Sequence, residues 1–262
     1  MTIAKRFDAE TAARFIADAH AARADYCNLP PEIAPSSVDE AYAAQEAVAR
    51  LWAASRGPVA GLKIATTTKI MQQLMGIDHP CGGIIFARRI HASPAQIDKG
   101  GFVSLVVECE LAVRLARDLP DTGTPYTRDD ARAAVGSVMA AFELIEDRRA
   151  VYKSTNALSL IADNAWNGGI VLGRENAPPA GHDLNGISGT LEVNGVAHKH
   201  GTTDDPMGAL AWVANLAVAR GRPMTAGQVV ITGSVIPTLP IGATETFRFS
   251  LDGIGSTEMQ AG

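Results

Sequence analysis

Two glutamates one residue apart, Glu108 and Glu110, sit in residues 102–115, a stretch rich in β-branched side chains that alternates as a strand does. In that strand Leu105, Val107, Cys109, Leu111 and Val113 point one way, and Ser104, Val106, Glu108, Glu110 and Ala112 the other. The two carboxylates therefore share a face, with Cα atoms roughly 6.5–7 Å apart. Burying one unpaired carboxylate costs on the order of several kcal/mol, and a second beside it adds repulsion. A divalent cation relieves both penalties. Hard oxygen donors with no His or Cys partner suit Mg²⁺ or Mn²⁺ better than Zn²⁺. The competing reading is a solvated face carrying two ordinary surface acids. Glu143, in the apolar run 141–145, is a candidate third carboxylate, or else a lone acid on an edge strand. Glu146, Asp147, Arg148 and Arg149 behind it read as a charged exit. Lys63, inside the apolar run 61–65, is a single cation on the face opposite Leu62 and Ile64. Such an ammonium could steady an enolate or shuttle a proton. Alternatively it snorkels from a sheet edge.

These residues need strands to hold them, and the pattern supplies them. Residues 1–57 read as two Ala-rich helices, the first capped by Asp8 and the second opened by a capping box from Ser37 to Glu40 and stopped at Gly57-Pro58. A Pro-rich arm, residues 26–37, joins them. After Pro58 the period shortens: a strand at 59–65, a helix at 67–75 ended by Gly76, the long strand at 102–115, and a helix of about three turns from Thr127 to residue 138. A strand follows near Phe142, then a hairpin turning at Asn194-Gly195, a helix at 206–220 and strands at 229–236, 246–251 and the C-terminus. Strands dominate and helices fall between them without a βαβ rhythm. The expected fold is therefore α+β, with a helical N-terminal part over 1–57 and a mixed, rolled or sandwiched sheet over 58–262. The glycine fingerprints of dinucleotide-binding and P-loop folds are absent.

The chain's 262 residues are 47% apolar and 19% charged, with a net charge of −5, so they can bury a core and offer no basic footprint for nucleic acid or an anionic membrane. No apolar run is long enough to span a bilayer, and the N-terminus lacks the apolar core of a signal peptide. Cys27, Cys81 and Cys109 are odd in number and do not form a disulfide framework. The expectation is a soluble cytoplasmic protein. His198 and His200, beyond the hairpin turn, read as an exposed strand end. Cys109 reads as a core thiol, and Trp52, Trp166 and Trp212 as packing residues.

The string GLKIATTTKIMQQLMGIDHP resembles a segment of the 2-keto-4-pentenoate hydratases, in the fumarylacetoacetate hydrolase superfamily. In order along the chain, VECELAVRLARDL, AFELIEDR, ADNAWNGGIVLG, LAWVANLAVARG and the C-terminal VVITGSVIPTLPIGATETFRFSLDGIGS are similar to further segments of that family. The resemblance, from about residue 10 to the end, implies Mg²⁺ or Mn²⁺ held by Glu108, Glu110 and Glu143, with Lys63 beside it. It implies an enzyme of aromatic catabolism in which a 2-hydroxy-2,4-dienoate, or its 2-oxo tautomer, is hydrated to a 4-hydroxy-2-oxo acid. Thr67 and Asp78 match family positions lining the same pocket, with Asp78 a catalytic candidate and Thr67 a substrate contact. Their alternatives are helix and turn capping. Ser234 could donate to the substrate carboxylate, or simply make a turn. The family implies a homo-oligomer acting on a small molecule.

Three positions depart from the family pattern: Cys81 after Pro80, Ser159 in residues 158–164, and Asp205 before Pro206. They leave the expected metal ligands intact and fall in segments that the resemblance assigns to substrate recognition and water activation. A sibling decarboxylase acting on 4-oxalocrotonate-type diacids would use the same ligands. A non-catalytic partner subunit of a hydratase–decarboxylase assembly is a further alternative. Carbon–carbon hydrolysis of acylpyruvates would need a water-activating His near a Glu in an N-terminal loop, a pairing not found in the sequence.

Overall fold

The computed structural model describes residues 7–181, 184–242 and 244–262. The first six residues, part of the segment read against a signal peptide, lie outside them. Helix α1 (Ala9–Ala21) starts where the Asp8 carboxylate accepts the Glu10 and Thr11 amides, and α2 (Val38–Arg56) starts where Ser37 accepts the Glu40 amide. The expected box is offset by one residue. The Glu40 carboxylate reaches back to the Ser36 amide, 2.7 Å away. Strand β1 (Val59–Ala65) leads to α3 (Lys69–Met75), which Thr68 caps and Gly76 closes in the left-handed conformation. Strands β2 (Cys81–Phe86), β3 (Ile90–Ala92) and β4 (Ala95–Ile97) precede the long β5 (Leu105–Leu115).

Helix α4 (Arg128–Ala134) is shorter than the sequence suggested. Thr127 and Asp130 form a reciprocal capping box, but Val135 already opens β6 (Val135–Glu146). The β-branched residues after Ala134 pair with β5 instead of extending a marginal two-turn helix. The remaining elements are α5 (Ala157–Ala162), β7 (Asn167–Leu172), β8 (Ser188–Val193), β9 (Val196–Thr202), α6 (Pro206–Ala219), β10 (Val229–Pro240), β11 (Glu245–Leu251) and β12 (Gly255–Ala261). The β8–β9 turn has φ of 51° at Asn194 and 76° at Gly195, the two positive values its Asn-Gly pair promised.

Two mixed sheets result: seven strands in the order β2-β1-β10-β5-β6-β7-β3, and five in the order β4-β12-β11-β8-β9. The main core lies between them. Val107, Cys109, Leu111 and Val113 from β5 and Phe142 and Leu144 from β6 belong to one cluster with Phe247, Phe249, Leu191 and Met259 of the smaller sheet. Helices α1 and α2 bury Ala12, Ile16, Val48 and Trp52 with Ile84 and Phe86 of β2 and Ala162 of α5. No helix among the described residues is long and apolar enough to cross a membrane.

Candidate metal and catalytic site

The face of β5 turned away from the main core carries the acids. In the antiparallel β5–β6 ladder Glu108 stands directly opposite Glu143 and Glu110 opposite Ala141. One oxygen from each of Glu108, Glu110 and Glu143 lies within 4.8 Å of the others. Glu110 and Glu143 are fully buried and Glu108 partly so, which rejects the solvated-face reading. Lys63 does not sit at a sheet edge. Strand β1 is flanked by β2 and β10, and the Lys63 side chain, 3% exposed, places Nζ 2.7 Å from Glu143 Oε1 and 3.1 Å from the Ala165 carbonyl.

Several groups fix the carboxylates. The Gly233 backbone amide donates to Glu110 Oε2 at 2.7 Å, the Asn167 side-chain Nδ2 to Glu143 Oε1 at 2.9 Å, and the Thr238 hydroxyl to Glu108 Oε1. Glu110 Oε1 and Glu143 Oε2 are buried without any partner. Orphaned buried oxygens of this kind are rare in native structures, and a cation is a partner that would satisfy them. Burial, followed by the charges of Glu143 and Glu108, pushes the Glu110 carboxyl well above the usual carboxylate range. Burial raises Glu143 as well, against the pull of Lys63. Burial alone would lower Lys63, but Glu143, Glu108 and Glu110 together hold its ammonium above its ordinary value. With every group ionised, three carboxylates and one ammonium leave two negative charges in the core. A divalent cation neutralises that excess, and an all-oxygen donor set suits Mg²⁺ or Mn²⁺.

The turn that carries Ala165 is unusual. Asn164, Ala165 and Trp166 have φ of 55°, 44° and 57°, three consecutive left-handed residues without a glycine. Asn164 staples the turn to β2, its side chain accepting from the Ile84 amide at 2.7 Å and donating to the Ile84 carbonyl at 2.9 Å. Strain of this kind persists only where the surroundings over-determine it. Here it presents the Ala165 carbonyl to Lys63.

Of the other sequence candidates, Thr67 and Ser234 line a cavity of about 1030 Å³ beside α6 and α3. Gly233, the donor to Glu110, also lines it, so the cavity abuts the acidic cluster. The Ser234 hydroxyl donates to the Ile236 carbonyl at 2.5 Å. Asp78 is exposed in the bend after α3, two residues before Pro80, and does not line that cavity. Asn167, Gly233, Thr238 and the Ala165 carbonyl were not singled out from the sequence. Each acts through contacts distant in sequence, and two of the four contribute only backbone atoms.

The positions that depart from the family pattern have structural employment. Ser159 Oγ accepts the Leu29 amide at 3.1 Å, anchoring the Pro-rich arm. Asp205 caps α6 and pairs with Arg128. Cys81 opens β2 in the core. The expected charged exit is corrected: Glu146, Asp147 and Arg148 are buried, with Arg148 bonded to Asp163 at 2.5 Å and Glu146 accepting the Val103 and Ser104 amides at 2.8 and 3.0 Å. His198 and His200 are exposed, Cys109 is buried, and Trp52 and Trp166 are packed inside as expected.

Residues 85–261 match the fumarylacetoacetate (FAA) hydrolase C-terminal family. The chain is 28% identical over 260 residues to 2-keto-4-pentenoate hydratase 1 of Dechloromonas aromatica (strain RCB), covering 98% of both chains. It is 30% identical over 230 residues to 2-hydroxyhexa-2,4-dienoate hydratase of Comamonas testosteroni, covering 86% of each. Its fold superimposes on 4-oxalocrotonate decarboxylase from Pseudomonas putida G7, solved with magnesium and adipate, with a TM-score of 0.87 at 23% identity over 97% of each chain. Matched over more than half its length by the family and over nearly all of it by hydratase relatives, the chain belongs to the fumarylacetoacetate hydrolase family.

Proposed function

We propose that this protein is a divalent-metal-dependent hydratase that adds water to a 2-hydroxy-2,4-dienoate, or its 2-oxo tautomer, to give a 4-hydroxy-2-oxo acid. One observation carries the reading: three glutamates on one sheet face, two of them fully buried with orphaned oxygens, stand beside a buried lysine. The hydratase relatives supply the reaction class.

Glu108, Glu110 and Glu143 would hold Mg²⁺ or Mn²⁺, which supplies a Lewis acid for the C1 carboxylate and C2 oxygen of the substrate. The Gly233 amide, the Thr238 hydroxyl and the Asn167 amide orient the three carboxylates before substrate arrives. Lys63 has three N–H donors, and Glu143 and Ala165 take two. The third is the one we assign to the substrate C2 oxygen, where it donates a hydrogen bond that stabilises the oxyanion left as the enol proton departs during ketonisation. Thr67 and Ser234, on the cavity wall, are assigned to the substrate carboxylate end, the Ser234 hydroxyl turning from the Ile236 carbonyl to donate to it, whereas Asp78, exposed and off that wall, is assigned no step.

The test supplies purified protein and Mg²⁺ with 2-hydroxypenta-2,4-dienoate and, separately, with 2-oxohex-3-enedioate. Loss of dienol absorbance without CO₂ is the expected result. CO₂ release from the diacid without hydration of the monoacid would replace the reading with a decarboxylase. Absence of turnover with either Mg²⁺ or Mn²⁺ would overturn it.

A further inference from the structure

A second cavity, of about 450 Å³, opens between the C-terminal ends of α1 and α2 and the start of β5. Arg14, Arg23, Arg56, Arg89 and Arg148 line it, against the carboxylates of Asp18 and Glu146. None of its lining residues belongs to the glutamate–lysine site. In a chain with a net charge of −5, this local cationic excess is out of character.

The internal partners do not account for it. Glu146 already accepts three backbone amides, those of Val103, Ser104 and Arg148. The two helix C-termini present roughly half a negative charge each, which offsets about one of the excess cations. Among the described residues the half-buried side chains of Arg56 and Arg89 make no hydrogen bond and no ion pair. The Arg56 guanidinium carbon lies over the Trp52 ring, 3.4 Å from its centroid, a cation–π contact that uses none of its N–H donors as a hydrogen bond. Arg148, 3% exposed, turns its head to Asp163 but leaves Nε buried and unpartnered. Burial, then the charge of Arg89, pulls Arg56 down to about 10. An anion between the two guanidiniums would relieve that repulsion.

We propose that this cavity is a second ligand site, for a small oxyanion carrying two or more negative charges, held chiefly by Arg56 and Arg89. Such an anion is supplied either as an inorganic tetrahedral ion or as a dicarboxylate, and the cavity chemistry is shared by both. The site is wired to the catalytic face. Arg148 binds Asp163, and Asp163 begins the left-handed turn whose Ala165 carbonyl holds Lys63.

Calorimetric titration of the full Mg²⁺-loaded chain with sulfate, inorganic phosphate and succinate, at constant ionic strength, tests the site. The expected result is saturable binding of at least one of the three, weakened tenfold or more in the Arg56→Gln/Arg89→Gln double variant. Arg14→Gln, at an exposed rim position away from the core, is a second variant, and it should weaken the same binding about threefold. Binding by sulfate or phosphate identifies the inorganic source, and binding by succinate alone the dicarboxylate. Heats unchanged in both variants would place the anion elsewhere and overturn the proposal, as would no saturable binding by any of the three.

Discussion

Lys63 and the three glutamates set opposing demands, so single substitutions should separate holding a cation from turning over substrate. Removing Lys63 takes away an ammonium 2.7 Å from Glu143 Oε1. Lys63→Met is therefore expected to bind Mg²⁺ at least as tightly as the parent while its turnover falls by about 10²–10⁴, the usual contribution of a positioned proton-transfer group. Glu108→Gln should do the reverse at the first step. It keeps the Thr238 contact but removes a charge, and Mg²⁺ affinity measured by calorimetry should fall at least about tenfold, the lower end of the loss when a mere supporting partner of a metal ligand is removed. Unchanged affinity in Glu108→Gln would take that residue out of the site. The pairing of Glu108 with Glu110 was legible from sequence because strand alternation alone puts them on one face. The burial of Glu146 and Arg148 was not legible because the groups that make it tolerable, the Val103 and Ser104 amides and Asp163, lie 43, 42 and 15 residues away along the chain.

At the scale of elements, the site depends on how closely β1, β2 and the 164–166 turn approach one another. Gly83 pairs with Lys63 across β1 and β2. A Cβ at Gly83 would lie 2.8 Å from Lys63 Cγ and 2.9 Å from the Asn164 carbonyl oxygen, closer than packed atoms tolerate. One of those neighbours is backbone in an already left-handed turn, so relaxation must come from the lysine stem. Gly83→Ala is expected to cost about 1–3 kcal/mol in urea unfolding, the range for overpacking a filled core. It should also lower turnover more than it raises KM, because it displaces Lys63 without touching the cavity wall at Thr67 and Ser234. A variant with parental turnover would show that Lys63 needs no exact seat. The strand ladder was readable in the sequence at β1, β5 and β10, where apolar alternation is long. The α4–β6 junction was not, because Thr127 announces a helix start while its end at Ala134 is decided by pairing of β6 with β5. The turn at 164–166 carries no local signal at all, since no glycine marks its positive φ values.

For the whole molecule, the buried charge should couple folding to metal and to pH in opposite senses. Without a cation, Glu110 has its carboxyl raised by burial and by Glu143 and Glu108. A carboxyl raised in the folded state favours folding while protonated, and this contribution is lost as pH rises through the folded value. The metal-stripped protein should therefore lose about 1.4 kcal/mol per pH unit from this group, above the ordinary carboxylate range and up to its raised value. A cation displaces that proton and stabilises only the folded chain. At a hundred times its dissociation constant it adds about 2.7 kcal/mol, which for a chain of this size raises Tm by roughly 5–10 °C. Because the ligands must be deprotonated to bind, the Tm difference between Mg²⁺ and EDTA samples should widen as pH rises, until Glu110 is ionised in both. Surface carboxylates titrate alike in the two samples, so subtracting one melting curve from the other isolates the glutamate cluster. Parallel curves across pH would mean that the cation binds elsewhere or binds without displacing a proton, and either outcome would break the link between the orphaned oxygens of Glu110 and Glu143 and the metal.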